Sequence, residues 1–199
     1  MTKLVLIRHG MTGWNKQGRY CGHRDIDLSN QGRVQAKKLG KRLKAVEFDK
    51  IYCSDRRRAL ETGRIIFKGK KITKVKSLRE INFGVFEGLK HNEIMKKYDG
   101  VYKKWLRNCY RYSIPDAEPM SVFKKRIESA MNKIVRSNPG KNVAVVCHGG
   151  VIGAFVSGIL KSRNFWRHVP SAASMTVVEY KKRQPKIKKF NDIAHLRQR

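Results

Sequence analysis

A short apolar segment near the start of the chain, Leu4-Val5-Leu6-Ile7, runs directly into the polar triplet Arg8-His9-Gly10. A continuous apolar run of this length is typical of a strand that is buried on both faces of a parallel sheet. Ligands of open α/β sheets bind in the crevice outside the carboxyl ends of such strands. The triplet therefore predicts a binding site at this sheet edge, supplied with a cation, an imidazole and a residue without a side chain.

The same arrangement occurs at two other places in the chain. Val143–Cys147 leads into His148-Gly149-Gly150, and Ile51–Cys53 leads into Ser54-Asp55 and the basic run Arg56–Arg58. The planar guanidinium of arginine matches the geometry of phosphate oxygens, and a neutral imidazole is a nucleophile near neutral pH. Three strand ends that carry these groups favour a site that binds and attacks a phosphate.

Segments with strand and helix patterns alternate along the chain, and this alternation predicts the fold class. It favours an α/β fold with three layers, α/β/α, in which a mostly parallel central sheet has helices on both faces. With 199 residues and no linker or repeat, we expect a single domain spanning residues 1–199. Ser54 or Asp55 is expected to cap the helix that carries Arg58. Further strands are predicted near 49–53, 72–75, 143–147, 175–180 and 187–190, and helices near 29–43, 58–66, 91–98, 101–109, 120–137 and from about 151.

The net charge of +31 allows three interpretations. It is compatible with nucleic-acid binding through counterion release, with the focusing of anionic substrates toward a cleft, or with lysines that simply fill solvated faces. Lys and Arg are spread from Lys3 to Arg199 without a dense basic arm. This distribution favours the solvated interpretation and makes specific nucleic-acid binding an unfavoured one, although some nonspecific binding of polyanions is still expected.

The sequence gives no indication of a membrane segment or of a disulfide framework. No apolar run approaches the roughly 18 residues of a membrane span, and Met1-Thr2-Lys3 leads straight into the first strand without a signal peptide. The four cysteines form no C-x-x-C pair. We therefore expect a cytoplasmic protein with reduced thiols and no membrane partner.

A phosphate-cleaving site needs a nucleophile, positive charge around the phosphoryl oxygens and an acid for the leaving group. His9 fits the first role. Glu80 is the candidate for the acid, because burial and a bound phosphate would raise the pKa of its carboxyl while nearby arginines would lower it. The residues suited to surrounding the phosphoryl group are Arg8, Asn15, Arg58 and His148.

The segment Arg8–Asn15 resembles the R-H-G-x-[ST]-x-x-N signature of the histidine phosphatase superfamily, which includes the cofactor-dependent phosphoglycerate mutases. Segments 54–62, 78–88 and 148–150 match further motifs in the family's order. The resemblance implies a phosphoglycerate mutase-like fold, no metal and no cofactor. It implies that His9 is the phosphorylated nucleophile and Glu80 the proton donor, and that the phosphate is bound by Arg8, Asn15, Arg58, His148 and Gly149.

Among the small phosphatases of this superfamily, the chain is most similar to the α-ribazole phosphatases of cobalamin synthesis. The features that carry this similarity are segment 22–28, from which Gly22 and His23 are expected at the substrate, and segment 190–196. The implied partner is a small-molecule phosphate ester, bound by a monomer or a homodimer. Two departures lie on the substrate side: Met11 stands where many members have Glu or Gln, and segment 115–119 replaces a common Gly-Glu-Ser.

Two other functions remain open from the sequence. In a phosphoglycerate mutase the phosphoryl group would return to the substrate instead of passing to water, and activity would depend on a bisphosphoglycerate primer. The chain lacks the insertion that such mutases place around their sugar phosphates, which argues against this activity. The remaining alternative is a polyanion-binding or nucleic-acid-binding protein built on a phosphatase fold.

Overall fold

A computed structural model describes residues 1–182 and 184–197 of the chain. Arg183, Gln198 and Arg199, which the expected domain includes, lie outside the described residues. The strands are β1 (Thr2–Arg8), β2 (Lys50–Cys53), β3 (Thr73–Lys74), β4 (Asn142–Cys147), β5 (Met175–Lys181) and β6 (Gln184–Asp192). The α-helices are α1 (Gly13–Lys16), α2 (Asn30–Leu43), α3 (Arg57–Ile66), α4 (His91–Arg107), α5 (Met120–Arg136), α6 (Gly149–Ile159) and α7 (Ala194–Arg197).

The strands form one sheet in the order β3-β2-β4-β1-β5-β6. The first four in this order run parallel, β5 runs antiparallel to both of its neighbours, β1 and β6, and β6 forms the edge. β1 and β4 lie side by side, with Arg8 opposite Cys147 in the register. The predicted mostly parallel sheet is confirmed, and its central strands all end on the same side.

Helices cover both faces of the sheet because successive side chains of β1 point to opposite faces. Leu4 and Leu6 pack into a core with α4, α5 and α6. Val5 and Ile7 pack into a second core with α2 and α3. All four side chains are buried, and each contributes about 1.5–3 kcal/mol through the hydrophobic effect. The predicted three-layer arrangement is therefore confirmed.

The start of α3 differs from the sequence-based prediction. Its N-cap residue is Arg56, which makes no side-chain capping bond, so the expected caps Ser54 and Asp55 are wrong. Asp55 instead accepts a hydrogen bond from Arg79 at 2.7 Å. The first-turn amide of Arg57 donates to Asp25 Oδ1 at 2.8 Å, so the cap comes from a loop distant in sequence.

Two other helix boundaries differ in smaller ways. The helices predicted over 91–98 and 101–109 are joined across a kink at Tyr98, where the backbone is non-helical with φ of −139°, and the second one ends at Arg107, the last residue of α4. α6 begins at Gly149 rather than near Val151. The earlier start places the first amides of α6 directly behind His148, where they reach the candidate site.

No helix in the described part of the chain is long and apolar enough to cross a membrane. The four cysteines are free thiols, and three of them are buried. Burial raises the pKa of the Cys53 and Cys147 thiols, which keeps them protonated and unreactive at neutral pH.

Candidate active site

The carboxyl ends of β1, β2 and β4 bring three polar side chains together. His9 follows β1 and its amide donates to the Cys147 carbonyl at 3.0 Å, while the amide of Ser54 donates to the Val146 carbonyl at 2.9 Å. The rings of His9 and His148 lie 5.2 Å apart between centroids, at an angle of 64°. The two imidazoles therefore face each other edge to face at one sheet edge.

His9 is held in a single orientation by its own backbone neighbour. Its Nδ1 lies 2.8 Å from the carbonyl oxygen of Gly10. A carbonyl can only accept, so Nδ1 carries the proton and Nε2 of the neutral ring has a free lone pair. Burial, with Arg58 and Arg8 nearby, holds the pKa of His9 well below its usual value. The ring is consequently neutral at physiological pH, with its free lone pair at Nε2.

Arg58 connects the site to the loop that contains Gly22. Its side chain is fully buried, with Nη1 donating to the Arg24 carbonyl at 2.9 Å and Nη2 to the Gly22 carbonyl at 2.7 Å. These bonds fix the plane of the guanidinium. The loop thereby orients a cation that lies close enough to His9 to lower the pKa of the imidazole.

Three nitrogens of the cluster are buried without a hydrogen-bond partner in the described structure, namely Arg8 Nε, Arg58 Nε and His148 Nδ1. The other ring nitrogen of His148 bonds to Ser54 Oγ at 2.8 Å, and Arg8 Nη1 donates to the Pro170 carbonyl. An unpaired buried polar group costs about 1–3 kcal/mol. An oxyanion bound beside His9 would supply acceptors for the arginine nitrogens.

Glu80 is buried where α6 begins. Its Oε2 accepts the Gly150 amide at 2.8 Å, and its Oε1 accepts the Ile81 amide at 3.0 Å. Burial raises the pKa of the carboxyl, against the opposing effects of these two bonds and of Arg58 and Arg8. A Cβ at Gly150 would lie only 2.2 Å from Glu80 Oε1, so this close approach requires glycine.

A cleft of about 300 Å³ opens beside these groups and is lined by Arg8, His9 and Glu80 together with Asn15 and Gly149. The Oδ1 atom of Asn15 accepts a hydrogen bond from the Thr12 amide at 3.1 Å, so the side-chain NH2 group of Asn15 is the part that can donate to a ligand. Sequence reasoning did not single out the other lining residues; Phe83 and Gly150 lie in the matched segments 78–88 and 148–150, and the rest lie outside every matched motif. These other lining residues are Gly18, Arg19, Tyr20, Cys21, Phe83, Gly150, Phe165, Trp166 and Val169.

Gly22 and His23 lie outside the cleft, and the fully buried Arg58 and His148 are not among its lining residues either. The Gly22 carbonyl accepts the hydrogen bond from Arg58 Nη2. A Cβ at Gly22 would lie only 2.0 Å from the Ile81 carbonyl oxygen. His23 lines a neighbouring cavity of about 500 Å³, together with Asp116. Neither residue is among those that line the cleft with His9.

Glu87 was not expected at the site, although it lies within the matched segment 78–88. Its Oε1 accepts the His23 amide at 2.5 Å, and its Oε2 accepts the Arg24 amide at 2.7 Å. The loop is thus held from one side by Glu87 and from the other by Arg58. Glu87 and Arg58 are thus connected through the loop, and we expect Glu87 to position the guanidinium of Arg58.

The chain matches the model of the histidine phosphatase superfamily (branch 1) over residues 4–193. It is 30% identical to phosphoserine phosphatase 1 of Hydrogenobacter thermophilus, over 98% of this chain and 95% of the relative. It is also 30% identical to the adenosylcobalamin/α-ribazole phosphatase of Escherichia coli, over 79% of each chain. The solved structure of Bacillus stearothermophilus YhfR superposes with a TM-score of 0.93 at 31% identity, over 98% of this chain and 100% of that structure.

The substitution Glu87→Gln tests how the loop positions Arg58. The amide keeps one acceptor but replaces the other with a donor that faces the N–H of the loop, so Arg58 loses its fixed orientation. We expect binding of inorganic phosphate, measured by titration calorimetry, to weaken about tenfold, the equivalent of one hydrogen bond to a charged group. The control is Glu128→Gln, an exposed carboxylate on α5. Unchanged phosphate affinity in a folded Glu87→Gln protein would rule out the positioning role.

Proposed function

The chain belongs to branch 1 of the histidine phosphatase superfamily, and from this premise we propose that it is a metal-independent phosphomonoesterase that works through a phosphohistidine on His9. The observation that carries the proposal is the hydrogen bond between His9 Nδ1 and the Gly10 carbonyl at 2.8 Å. It leaves Nε2 as the nucleophile. Beside it, Arg8 and Arg58 each have a buried nitrogen without a partner in the described structure.

In the first step, His9 Nε2 attacks phosphorus, a P–N bond forms and the ester P–O bond breaks. Charge on the equatorial oxygens is stabilised by Arg8, Arg58 and the NH2 group of Asn15. His148 completes this pocket, and the Gly149 amide at the start of α6 adds a helix N-terminus. The leaving alkoxide takes its proton from the carboxyl of Glu80.

In the second step, water attacks the phosphohistidine. The carboxylate of Glu80, formed in the first step, accepts a proton from this water, the P–N bond breaks, and inorganic phosphate leaves. The same carboxyl thus acts first as acid and then as base. Its burial supports both roles, because a raised pKa brings the two protonation states closer in free energy near neutral pH.

The walls of the cleft favour a leaving group that contains a ring. Four aromatic side chains line it, Tyr20, Phe83, Phe165 and Trp166. Glu80 is the sole carboxylate among the described lining residues, so the cleft offers no separate partner for an ammonium group such as that of phosphoserine. We therefore propose a small phosphate ester of a ring-bearing alcohol, and α-ribazole phosphate as the first substrate of this kind to test.

Phosphate release by the wild type and by His9→Ala, both in EDTA, tests this function. The substrates are α-ribazole phosphate, phosphoserine, 3-phosphoglycerate and p-nitrophenyl phosphate. We expect chelation to leave wild-type turnover intact and His9→Ala to lose at least about 10³-fold, since the covalent route is gone. Glu128→Gln, which changes the exposed carboxylate on α5, is the control. Turnover that required a bisphosphoglycerate primer would indicate a mutase, and turnover that survived His9→Ala would contradict the phosphohistidine.

The substitution Glu80→Gln tests the acid. With alkyl phosphates we expect a loss of about 10²–10⁴-fold, the usual contribution of a general acid. The loss in kcat/KM, which reports the steps up to the phosphoenzyme, should be far smaller with p-nitrophenyl phosphate, because its phenolate leaves without a proton. In contrast, kcat should fall for both substrate types, since both share the hydrolysis of the phosphohistidine. Since burial raises the pKa of Glu80, wild-type kcat/KM for alkyl esters should decline with rising pH only above the ordinary carboxyl range of about 4.3. Equal losses in kcat/KM on both substrate types would assign the proton to another group.

A further inference from the structure

A second cavity, of about 780 Å³, lies next to the candidate active site. It is formed by the end of α4, the turn 108–110, one residue of α5 and the loop 162–166. Two of its residues, Phe165 and Trp166, also line the cleft that contains His9. The volume is within the range of about 300–1,000 Å³ that is typical of small-molecule sites.

The charge of this cavity has one sign. Arg107, Lys124 and Arg163 line it, and no carboxylate is among its described lining residues. None of the three cations has an ion pair within 4.0 Å in the described part of the chain. The nearby acid Glu128, one turn after Lys124 on α5, lines a different cavity with it but forms no such pair. Three cations around one concave surface repel each other until an anion binds between them.

The wall between the two cavities is held in place by packing and hydrogen bonds. The ring of Trp166 lies 4.9 Å from that of Phe165 and 5.0 Å from that of Trp105, both edge to face. In the same loop, the Asn164 carbonyl lies 2.9 Å from His168 Nδ1, and its side chain accepts the Arg167 amide at 3.2 Å. Trp166 is 37% exposed. Its ring therefore presents a fixed apolar surface from which a ligand can reach either cavity.

We propose that this cavity, defined by Arg107, Lys124 and Arg163, binds a second anionic group of the substrate, a phosphate or a carboxylate on the alcohol part. The inference rests on the proposed phosphatase function and adds esters with a second anion to the substrates proposed above, which include single-anion esters such as α-ribazole phosphate. The reacting phosphate lies beside His9, the middle of the molecule lies against Trp166, and the distal anion lies among the three cations. A monoester with a single anionic group occupies the cleft alone and forgoes these contacts.

The test uses two series of alkyl phosphates of increasing chain length at constant ionic strength. One series ends in a methyl group and the other in a phosphonate, which is anionic but is not hydrolysed. For the wild type we expect the ratio of kcat/KM between phosphonate and methyl compounds to peak at one chain length, where the spacing of the two sites is matched. At this chain length we expect the ratio of kcat/KM values to be at least about 10, as for one charge-assisted contact.

The double variant Arg107→Ser/Arg163→Ser should lower this peak about tenfold while turnover of p-nitrophenyl phosphate stays unchanged. The charge-matched control is Lys70→Ser/Lys71→Ser, two exposed lysines before the edge strand β3 that line neither cavity. A ratio without a peak, or one lowered equally by the control, would overturn the second site and leave only a general field effect. Failure of the phosphatase function itself would appear separately, as absent turnover of p-nitrophenyl phosphate.

Discussion

The hydrogen bond from His9 Nδ1 to the Gly10 carbonyl fixes the chemistry of the whole site, because it decides which imidazole nitrogen is free. The position of that carbonyl depends on packing. The Gly10 amide donates to Thr62 Oγ1 at 3.0 Å, and a Cβ at Gly10 would lie 2.5 Å from the Gly32 carbonyl. Residues of α2 and α3 therefore pack directly against the backbone of Gly10, whose carbonyl orients His9. Thr62 Oγ1 in turn donates to the Arg58 carbonyl at 2.7 Å, which links the backbone beside the imidazole to Arg58.

The electrostatics of the cleft follow from burying positive charge beside a neutral histidine. Desolvation of a cation is costly unless hydrogen bonds replace the lost water. Arg58 donates such hydrogen bonds to the loop carbonyls of Gly22 and Arg24. The amides of the same loop donate to the carboxylate of Glu87. This arrangement lowers the pKa of His9 and His148 while the pKa of Glu80 is raised by burial. Both shifts favour the protonation states that the first step of the proposed reaction needs, a neutral imidazole and a protonated carboxyl.

The parts of the fold and site that sequence reasoning predicted are those encoded by local pattern. Apolar runs located the buried strands, and the polar residues directly after them, such as His9 and His148, meet because parallel strands end at one edge. The parts it missed depend on contacts between distant segments. Asp25, in a loop, accepts a hydrogen bond from the first-turn amide of α3, and Glu87 accepts one from the His23 amide. Trp166, which follows α6 in the chain, lines the cleft. No spacing rule connects these residues, because their meeting is set by the folded paths of loops.

The position of the phosphoryl group on the trapped intermediate tests the central claim most directly. Glu80→Gln slows attack by water, so rapid quenching of this variant with p-nitrophenyl phosphate should accumulate the phosphoprotein. Proteolysis and phosphorus NMR under alkaline conditions, where phosphohistidine survives, then identify the residue and the nitrogen. We expect one phosphate per chain on His9, attached at Nε2. Phosphate on Nδ1 of His9, or on any other side chain, would contradict the assignment of the tautomer and with it the proposed mechanism.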